Sequence, residues 1–224
     1  MTFMHAPLVN KFIVADLIRL LDEFVPRASV DRALRQAGLS RRFLEGTPGF
    51  IPFAQEARFG EVIARHLGEL NFGVIVGEKY RYRALRTYAD YVLAAPTLGQ
   101  ALERGGRGFQ VLHPGCNVTI TESGSHLVLG IDTKLHPVVG ARHIDETLPF
   151  VLTRLIRNFL GEGWKPSWIE MTGRHTRSED ALGQRFDVPV RMGSAVPGIA
   201  LESEALAAPN RVPRAERSMM RLQD

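Results

Sequence analysis

The chain has little of what extracellular and membrane proteins need. Its 224 residues include a single cysteine, Cys116, so an intramolecular disulfide is excluded and a reducing compartment is favoured. No run approaches the roughly 20 consecutive apolar residues that form a membrane helix. Residues 1–8 lack a basic cluster, and charged side chains interrupt the apolar stretch that follows, so we expect no signal peptide. These absences predict a cytoplasmic protein with no membrane partner.

The chain also has only a small excess of charge of one sign. The chain holds 28 Lys and Arg against 24 Asp and Glu, a formal net charge of +4. Dedicated nucleic-acid binders concentrate positive charge on one face, whereas the basic residues here are spread along the chain. Two modest clusters, which we interpret as solvated surface, are Arg81, Arg83 and Arg86, and Arg211, Arg214, Arg217 and Arg221.

Motifs for catalysis and metal binding are missing as well. None of the 7 histidines stands with Cys, Asp or Glu at a spacing typical of a zinc site. The densest patch, His136 and His143 with Asp145 and Glu146, is better explained as a loop leading into a helix N-terminus, where carboxylates are favoured. The sequence contains neither a Gly-x-Ser-x-Gly elbow nor a glycine-rich phosphate loop after a strand. We therefore expect no enzyme activity, no metal and no cofactor.

The apolar pattern predicts an α+β fold. Helical spacing runs from Phe12 to Phe24 and returns at 52–68, with shorter helices expected after Ser29 and Ser40. Further helices are predicted after Pro96-Thr97 and at 145–160. The predicted strands are 72–76, 88–94, 118–121, 126–131, 165–172, 186–192 and 199–201, and those at 118–121 and 126–131 are predicted to form a hairpin around Gly124. We expect a helical N-terminal region followed by an antiparallel sheet with packed helices, and the recurring order helix, strand, strand suggests a duplicated unit.

Four phrases, in order and at the right spacing, resemble the N-terminal effector domain of AraC/XylS-family transcription regulators, the arabinose-binding type. They are IARHLGELNFGVIVG at 63–77, YVLAAPTLGQAL at 91–102, LGEGWKP at 160–166 and FDVPVRMG at 186–193. Each phrase also has an architectural explanation. Gly73 and Gly77 suit a tight helix-to-strand junction, and Pro189 suits an edge strand or bulge.

The resemblance implies an N-terminal helix at 1–25, an effector-binding domain at 26–208 and a linker at 209–224. Family members continue into two helix-turn-helix units that bind DNA, and this chain contains no such units. We therefore expect a domain that senses a small-molecule effector, forms a homodimer and acts on DNA through a separate C-terminal domain.

The resemblance also implies a ligand pocket between the sheet and the helices. Aromatic and long apolar candidates for it are Tyr91, Phe109, Trp168 and Met171. Arginines suited to the carboxylate of an effector such as an amino acid or a fatty acid are Arg154, Arg157 and Arg191. Packing in the core is the commoner role of such apolar residues, and solvated surface explains the arginines equally well.

An alternative interpretation makes this chain a DNA-binding module. Residues 29–45 resemble a helix-turn-helix, with Gly38 in the turn and Ser40, Arg41 and Arg42 opening a recognition helix. The arginines would then contact phosphates. Against this, the segment lacks an obvious three-helix core of its own, so a surface helical hairpin is the safer interpretation.

Overall fold

The structure, a computed structural model, describes residues 6–173 and 176–211. The helices are α1 (Lys11–Asp22), α2 (Arg27–Gln36), α3 (Arg41–Glu45), α4 (Phe53–Leu67), α5 (Phe72–Lys79), α6 (Thr87–Leu93), α7 (Leu98–Gly108), α8 (Ala141–Leu160) and α9 (Thr176–Phe186). The strands are β1 (Leu8–Asn10), β2 (Phe50–Pro52), β3 (Asn117–Ser123), β4 (His126–Asp132), β5 (Ile169–Met171), β6 (Val190–Met192) and β7 (Gly198–Glu202). Short 3₁₀ turns cover Tyr82–Leu85, Phe109–Val111 and Ser203–Ala207. Most of the predicted linker at 209–224 lies outside the described residues.

The N-terminal half is helical, as the apolar spacing predicts. The Asn10 side chain accepts a hydrogen bond from the backbone N–H of Phe12 and caps α1. Thr97 caps α7 through the N–H of Gln100, which confirms the predicted helix start. The buried faces of these helices share one apolar core with the inner face of the sheet. The predicted domain boundary after residue 25 stays a prediction, and α1 belongs to the same core as the helices that follow it.

The main sheet has the strand order β3-β4-β7-β5-β6 over the described residues. β3 and β4 form the predicted hairpin, with Gly124 at φ +63° in its turn. β7 pairs antiparallel with both β4 and β5. β5 and β6 pair parallel, so the fold class is the predicted α+β but the sheet is mixed. The reason is α9, which connects β5 to β6 and brings the chain back in the same direction.

Two predicted strands are helices instead. Residues 72–76 open α5, and residues 88–94 form most of α6. Both are short apolar runs, and such runs fit a buried strand and a buried helix equally well. Packing decides the outcome, because α5 lies along α8 and α6 packs on α7.

Two further strands are shorter than predicted. Within 165–172 the strand is limited to β5, and within 186–192 it is limited to β6, because Phe186 still belongs to α9. Pro189 precedes β6 directly, and β6 is an edge strand, which confirms the expectation for this proline. The second helix–strand–strand unit therefore contains an additional helix and parallel strands, and it does not repeat the hairpin of the first.

Helices α5 and α8 approach closely because α5 carries glycine where they meet. A Cβ atom on Gly73 would lie 2.2 Å from the carbonyl oxygen of His143, and one on Gly77 would lie 2.4 Å from Cδ2 of Phe150. The prediction of a helix-to-strand junction here is wrong, since both glycines lie inside a helix and permit a close contact between helices.

Candidate functional site

A cavity of about 120 Å³ lies between the N-terminal helices, α8 and the sheet. Its wall is largely apolar, and α1, α4, α5, α8 and β4 all contribute to it. Representative side chains from these elements are Ile13, Phe53, Val76, Leu148, Val151 and Ile131. The cavity is therefore built from segments that lie far apart in the chain and meet only in the folded protein.

His113 reaches the cavity at the end of a segment that β1 holds in place. The backbone N–H of Asn10 donates to the carbonyl of Leu112 at 2.9 Å, and the N–H of His113 donates to the carbonyl of Phe109 at 2.9 Å. The imidazole lies between two aromatic rings, with its centroid 4.7 Å from that of Phe53 and 5.1 Å from that of Phe109. Backbone bonds and ring packing together fix the orientation of this side chain.

Glu56 and His113 line the cavity, and each carries a buried polar atom that has no hydrogen-bond partner among the described residues. These buried atoms are Oε2 of Glu56 and Nδ1 of His113. Nδ1 of His143, another wall residue, also has no hydrogen bond, but it lies 3.5 Å from the carboxylate of Glu146. Both side chains keep partial accessibility, which we attribute to the surface they present to the cavity. A buried polar atom without a partner is costly, so two of them beside one apolar cavity mark a place where a ligand can supply the missing bonds.

Burial keeps both groups uncharged at neutral pH. It raises the pKa of the Glu56 carboxyl to about 8 and lowers the pKa of His113 to about 3. A protonated carboxyl and a neutral imidazole can each donate and accept a hydrogen bond. Tyr80 adds a further polar group to the wall, and burial together with the nearby Glu56 raises the pKa of its hydroxyl above the usual range.

Helix α8 carries two buried carboxyl groups, which accept hydrogen bonds from residues that follow β5 in the chain. It begins at Ala141, earlier than predicted, so Asp145 and Glu146 lie within the helix rather than at its start. The hydroxyl of Thr172 donates to Asp145 at 2.6 Å, and that of Ser178 donates to Glu146 at 2.7 Å. Burial raises the pKa of Asp145 to about 6. The same helix thus lines the cavity and is hydrogen-bonded to Thr172 and Ser178, which follow β5.

His143, on the same helix, connects it to α4. Its Nε2 lies 3.1 Å from the carboxylate of Glu61. Thr147, one turn later, donates to the carbonyl of Gly73 on α5 at 3.0 Å. Within residues 6–173 and 176–211, no group of three His, Cys, Asp or Glu side chains is arranged to hold a metal ion.

Of the predicted ligand-binding residues, the structure brings Phe109 to the cavity. Tyr91 lies half-buried on α6, where the guanidinium of Arg104 stands 5.3 Å from its ring centroid. Arg154 donates to the carbonyl of Gly77 at 2.6 Å and so binds the end of α5. The contacts that Tyr91 and Arg154 make in the structure are explained without a ligand. Ligand binding by these two residues stays a prediction.

Trp168 and Arg191 lie together on the other face of the sheet. The guanidinium stands 3.7 Å from the indole centroid, and Trp168 packs with Val128 and Ala200 in a cluster apart from the main core. Met171 lines a separate, more polar depression of about 200 Å³ near the start of α8. The structure therefore distributes the predicted site over several places, and binding of an effector at these three residues stays a prediction.

The helix-turn-helix-like segment is a short hairpin. Gly38 occupies its turn at φ +73°, and Ser40 caps α3, which is only 5 residues long. The guanidinium of Arg41 bonds the carboxylates of Asp22 and Asp31, both at 2.6 Å. Because Arg41 is already paired within the protein, an architectural role explains this residue without any contact to DNA.

We expect Arg41→Ala to lower the free energy of unfolding by about 1 kcal/mol, because it breaks a partly buried pair of ion bridges. The matched control is Arg42→Ala, at an exposed neighbour with no ion pair among the described residues, and we expect it to change stability by at most about 0.5 kcal/mol. Urea unfolding measures both. Equal effects would contradict the structural role of Arg41, and salt-dependent DNA binding weakened by either change would favour the DNA-binding alternative.

Glu56 and His113 line the cavity with polar side chains, and neither is among the site residues predicted from the sequence. Glu56 follows Phe53 by three residues and precedes Gly60 by four, so it lies within the buried stripe of α4. A carboxyl group in such a stripe is the signal that could have found it. His113 offers no comparable signal, because it follows a 3₁₀ turn whose course only the folded structure shows.

None of the helices in the described residues is long and apolar enough to cross a membrane.

The family model described as "Arabinose-binding domain of AraC transcription regulator, N-term" matches residues 28–210. Among solved structures, the transcriptional regulator CdpR from Pseudomonas aeruginosa is similar, with a TM-score of 0.56 and 17% sequence identity. The similarity covers 85% of this chain and 58% of the CdpR chain, and at this identity it shows a shared fold. No curated protein matches the chain.

The order of the sequence phrases, the α+β fold and the match over most of the chain lead to the same family. The resemblance seen in the four phrases is therefore confirmed. The chain belongs to the family of N-terminal arabinose-binding domains of AraC transcription regulators, which are effector-binding regulatory domains.

Proposed function

We propose that this chain binds a small-molecule effector in the cavity between α1, α4, α5, α8 and β4, and that binding changes how a separate DNA-binding domain contacts its operator. The observation that supports this site is the pair of buried, unpartnered polar atoms on Glu56 and His113 beside an apolar wall. Apolar pockets with a few convergent polar groups are the usual form of small-molecule sites.

The position of α8 supports a route from the cavity to the rest of the domain. Leu148 faces the cavity, while Asp145 and Glu146 on the same helix are bonded to Thr172 and Ser178. A ligand that prefers one position of α8 would also prefer one arrangement of the residues around β5. Such differential affinity for two conformations is what allows an effector to regulate a distant domain.

We include homodimer formation in the proposal, because operators of DNA-binding dimers commonly consist of two half-sites. α8 is already packed against α4, α5 and the sheet, so the dimer interface is expected elsewhere. β3 is an edge strand with Ile120 half exposed, and its unpaired backbone groups suit pairing with a second copy. Light scattering of the chain in solution measures its oligomeric state.

A thermal-shift screen with amino acids, polyamines, acyl chains, sugars and small aromatic compounds tests the effector site. A ligand at a hundredfold excess over its Kd stabilises the folded state by about 2.7 kcal/mol, so the melting temperature should rise saturably. We expect Leu148→Phe, which places a larger side chain at the cavity wall, to abolish the shift. The matched control, Leu160→Phe, changes a partly buried position of the same helix outside the cavity and should retain it.

A shift that survives unchanged in Leu148→Phe would show that the ligand binds elsewhere. The absence of a shift from every class of compound would contradict the proposal that this cavity senses an effector. For regulation, the chain joined to a DNA-binding domain should change its operator affinity when the same ligand is added, and Leu148→Phe should remove that change.

A further inference from the structure

We propose that the effector is an uncharged, mostly apolar molecule of about six to ten heavy atoms, which hydrogen-bonds Glu56 and His113 through one polar group. This inference rests on the proposed function, since it assigns a chemical class to the ligand of the same cavity. It differs from the amino acid or fatty acid that the sequence suggests through Arg154, Arg157 and Arg191, because none of these arginines lines the cavity.

The lining excludes an anionic ligand. Neither lysine nor arginine contributes to the wall among the described residues. The basic group present besides His113 is His143, whose Nε2 lies 3.1 Å from the carboxylate of Glu61 and whose Nδ1 lies 3.5 Å from that of Glu146. A carboxylate placed in the cavity would lose its hydration and find no cation, and an unpaired buried charge is strongly unfavourable.

A cationic ligand is disfavoured for a related reason. Glu56 is the carboxyl group in the wall, and burial alone raises its pKa to about 8, because no described residue donates a hydrogen bond to its carboxylate form. An ammonium group would have to ionise Glu56 and then rely on that single contact, since His113 and Tyr80 offer no negative charge. Buried ion pairs stabilise a complex only when further hydrogen bonds satisfy both ions.

An uncharged polar group, in contrast, can form hydrogen bonds with Glu56 and His113 without adding a buried charge. A hydroxyl or carbonyl can accept a hydrogen bond from the protonated carboxyl of Glu56 or from the imidazole of His113, and a hydroxyl can also donate. The aromatic rings of Phe53 and Phe109, which hold the imidazole, continue as apolar wall for the remainder of the ligand. The ligand thereby supplies partners to Oε2 of Glu56 and Nδ1 of His113 without introducing a charge.

The volume sets the size of the molecule. An engineered apolar cavity of about 150 Å³ in another protein binds benzene, so a cavity of about 120 Å³ accepts a compound of similar size in its present shape. Side-chain adjustment adds a few atoms to this limit. Long acyl chains and sugars with many hydroxyl groups are thus excluded, the former by length and the latter by the number of polar groups that would stay unpaired.

Three probes of one shape and different charge test this inference: benzyl alcohol, benzoate and benzylamine, each titrated at pH 7 and followed by protein NMR chemical shifts. We expect benzyl alcohol to bind at least about tenfold more tightly than either ion. Glu56→Leu and His113→Phe should each weaken its binding about tenfold, because each removes one hydrogen-bonding group. Glu56→Gln, which keeps a neutral donor and acceptor at the same place, should stay within about threefold of the wild type.

Charged probes that bind as tightly as benzyl alcohol would overturn the assignment, and so would benzyl alcohol binding that ignores both Glu56→Leu and His113→Phe. Failure of all three probes to bind also overturns it. Leu148→Phe separates the two proposals. If a charged compound binds and Leu148→Phe abolishes that binding, the chemical class is wrong while the cavity remains the effector site. If no ligand of any class depends on Leu148, the proposed function fails as well.

Discussion

Replacing Gly73 by alanine is expected to lower the free energy of unfolding by about 3 kcal/mol or more. The added methyl group would lie 2.2 Å from the carbonyl oxygen of His143 and 2.7 Å from Cβ of Glu146. The first of these atoms belongs to the backbone of α8, which cannot rotate away as a side chain can. Helices α5 and α8 must therefore separate, which also loosens the bond from Thr147 to the Gly73 carbonyl.

Gly106→Ala is the matched control for this substitution. Gly106 lies on an exposed part of α7, where the nearest atom to an added Cβ is Cβ of Val118 at 4.0 Å, an ordinary contact. Alanine favours a helix over glycine by up to about 1 kcal/mol, so this variant should be as stable as the wild type or slightly more stable. Urea unfolding with equal m-values measures both. A Gly73→Ala protein within about 1 kcal/mol of the wild type would contradict the close contact of α5 and α8.

Glu56→Gln is expected to make the protein more stable than the wild type at pH 8, by about 2 kcal/mol, and equally stable near pH 4.5. The folded-state pKa of Glu56 is raised to about 8 from an ordinary value of 4.5. Between these values the folded protein retains a proton that the unfolded chain has released, so this group's contribution to stability falls as the pH rises through that window. Because the side chain borders a cavity and keeps partial accessibility, the effect should be smaller than the full shift would imply.

The difference between wild type and variant isolates this one group, since other titrations occur in both proteins. Burial holds Tyr80 and Cys116, the neighbours that interact electrostatically with Glu56, in their neutral forms across the window, with the pKa of Cys116 raised to about 12. Glu204→Gln, at an exposed position, is the control, and its free energy of unfolding should differ from that of the wild type by the same amount at every pH. Thermal or urea unfolding at several pH values between 4.5 and 8.5 gives the profile. A flat profile for Glu56→Gln would contradict the burial of a protonated carboxyl.

Local patterns predicted those elements whose residues carry their own signals. The apolar spacing before Phe24 and the cap at Thr97 predicted α1 and α7, and the residues around Gly124 predicted the β3–β4 hairpin. The runs at 72–76 and 88–94 carry no such signal, because a short apolar stretch satisfies a buried strand and a buried helix alike. Packing against α8 makes the run at 72–76 helical, and packing against α7 does the same for the run at 88–94.

The candidate site shows the same division between local and long-range information. The four phrases identified the family without naming a ligand-binding residue, since the residues in them serve turns, caps and helix contacts. Of the predicted pocket residues, Phe109 lies in the cavity, whereas Trp168 and Arg191 lie on the opposite face of the sheet. A strand alternates its side chains between two faces, and the sequence alone does not say which face will be covered.

By itself, then, the sequence determined the α+β class and the helical N-terminal half, because periodicity and capping act within a few residues, and its four phrases determined the family through their resemblance to known members. The tertiary structure alone decided that β5 and β6 run parallel and that α5 meets α8 at Gly73. It also decided that Glu56 and His113, 57 positions apart by their residue numbers, border one apolar cavity without partners. Whether a polar side chain is buried, paired or left open to a ligand depends on which distant segments pack around it, and that is a property of the whole fold.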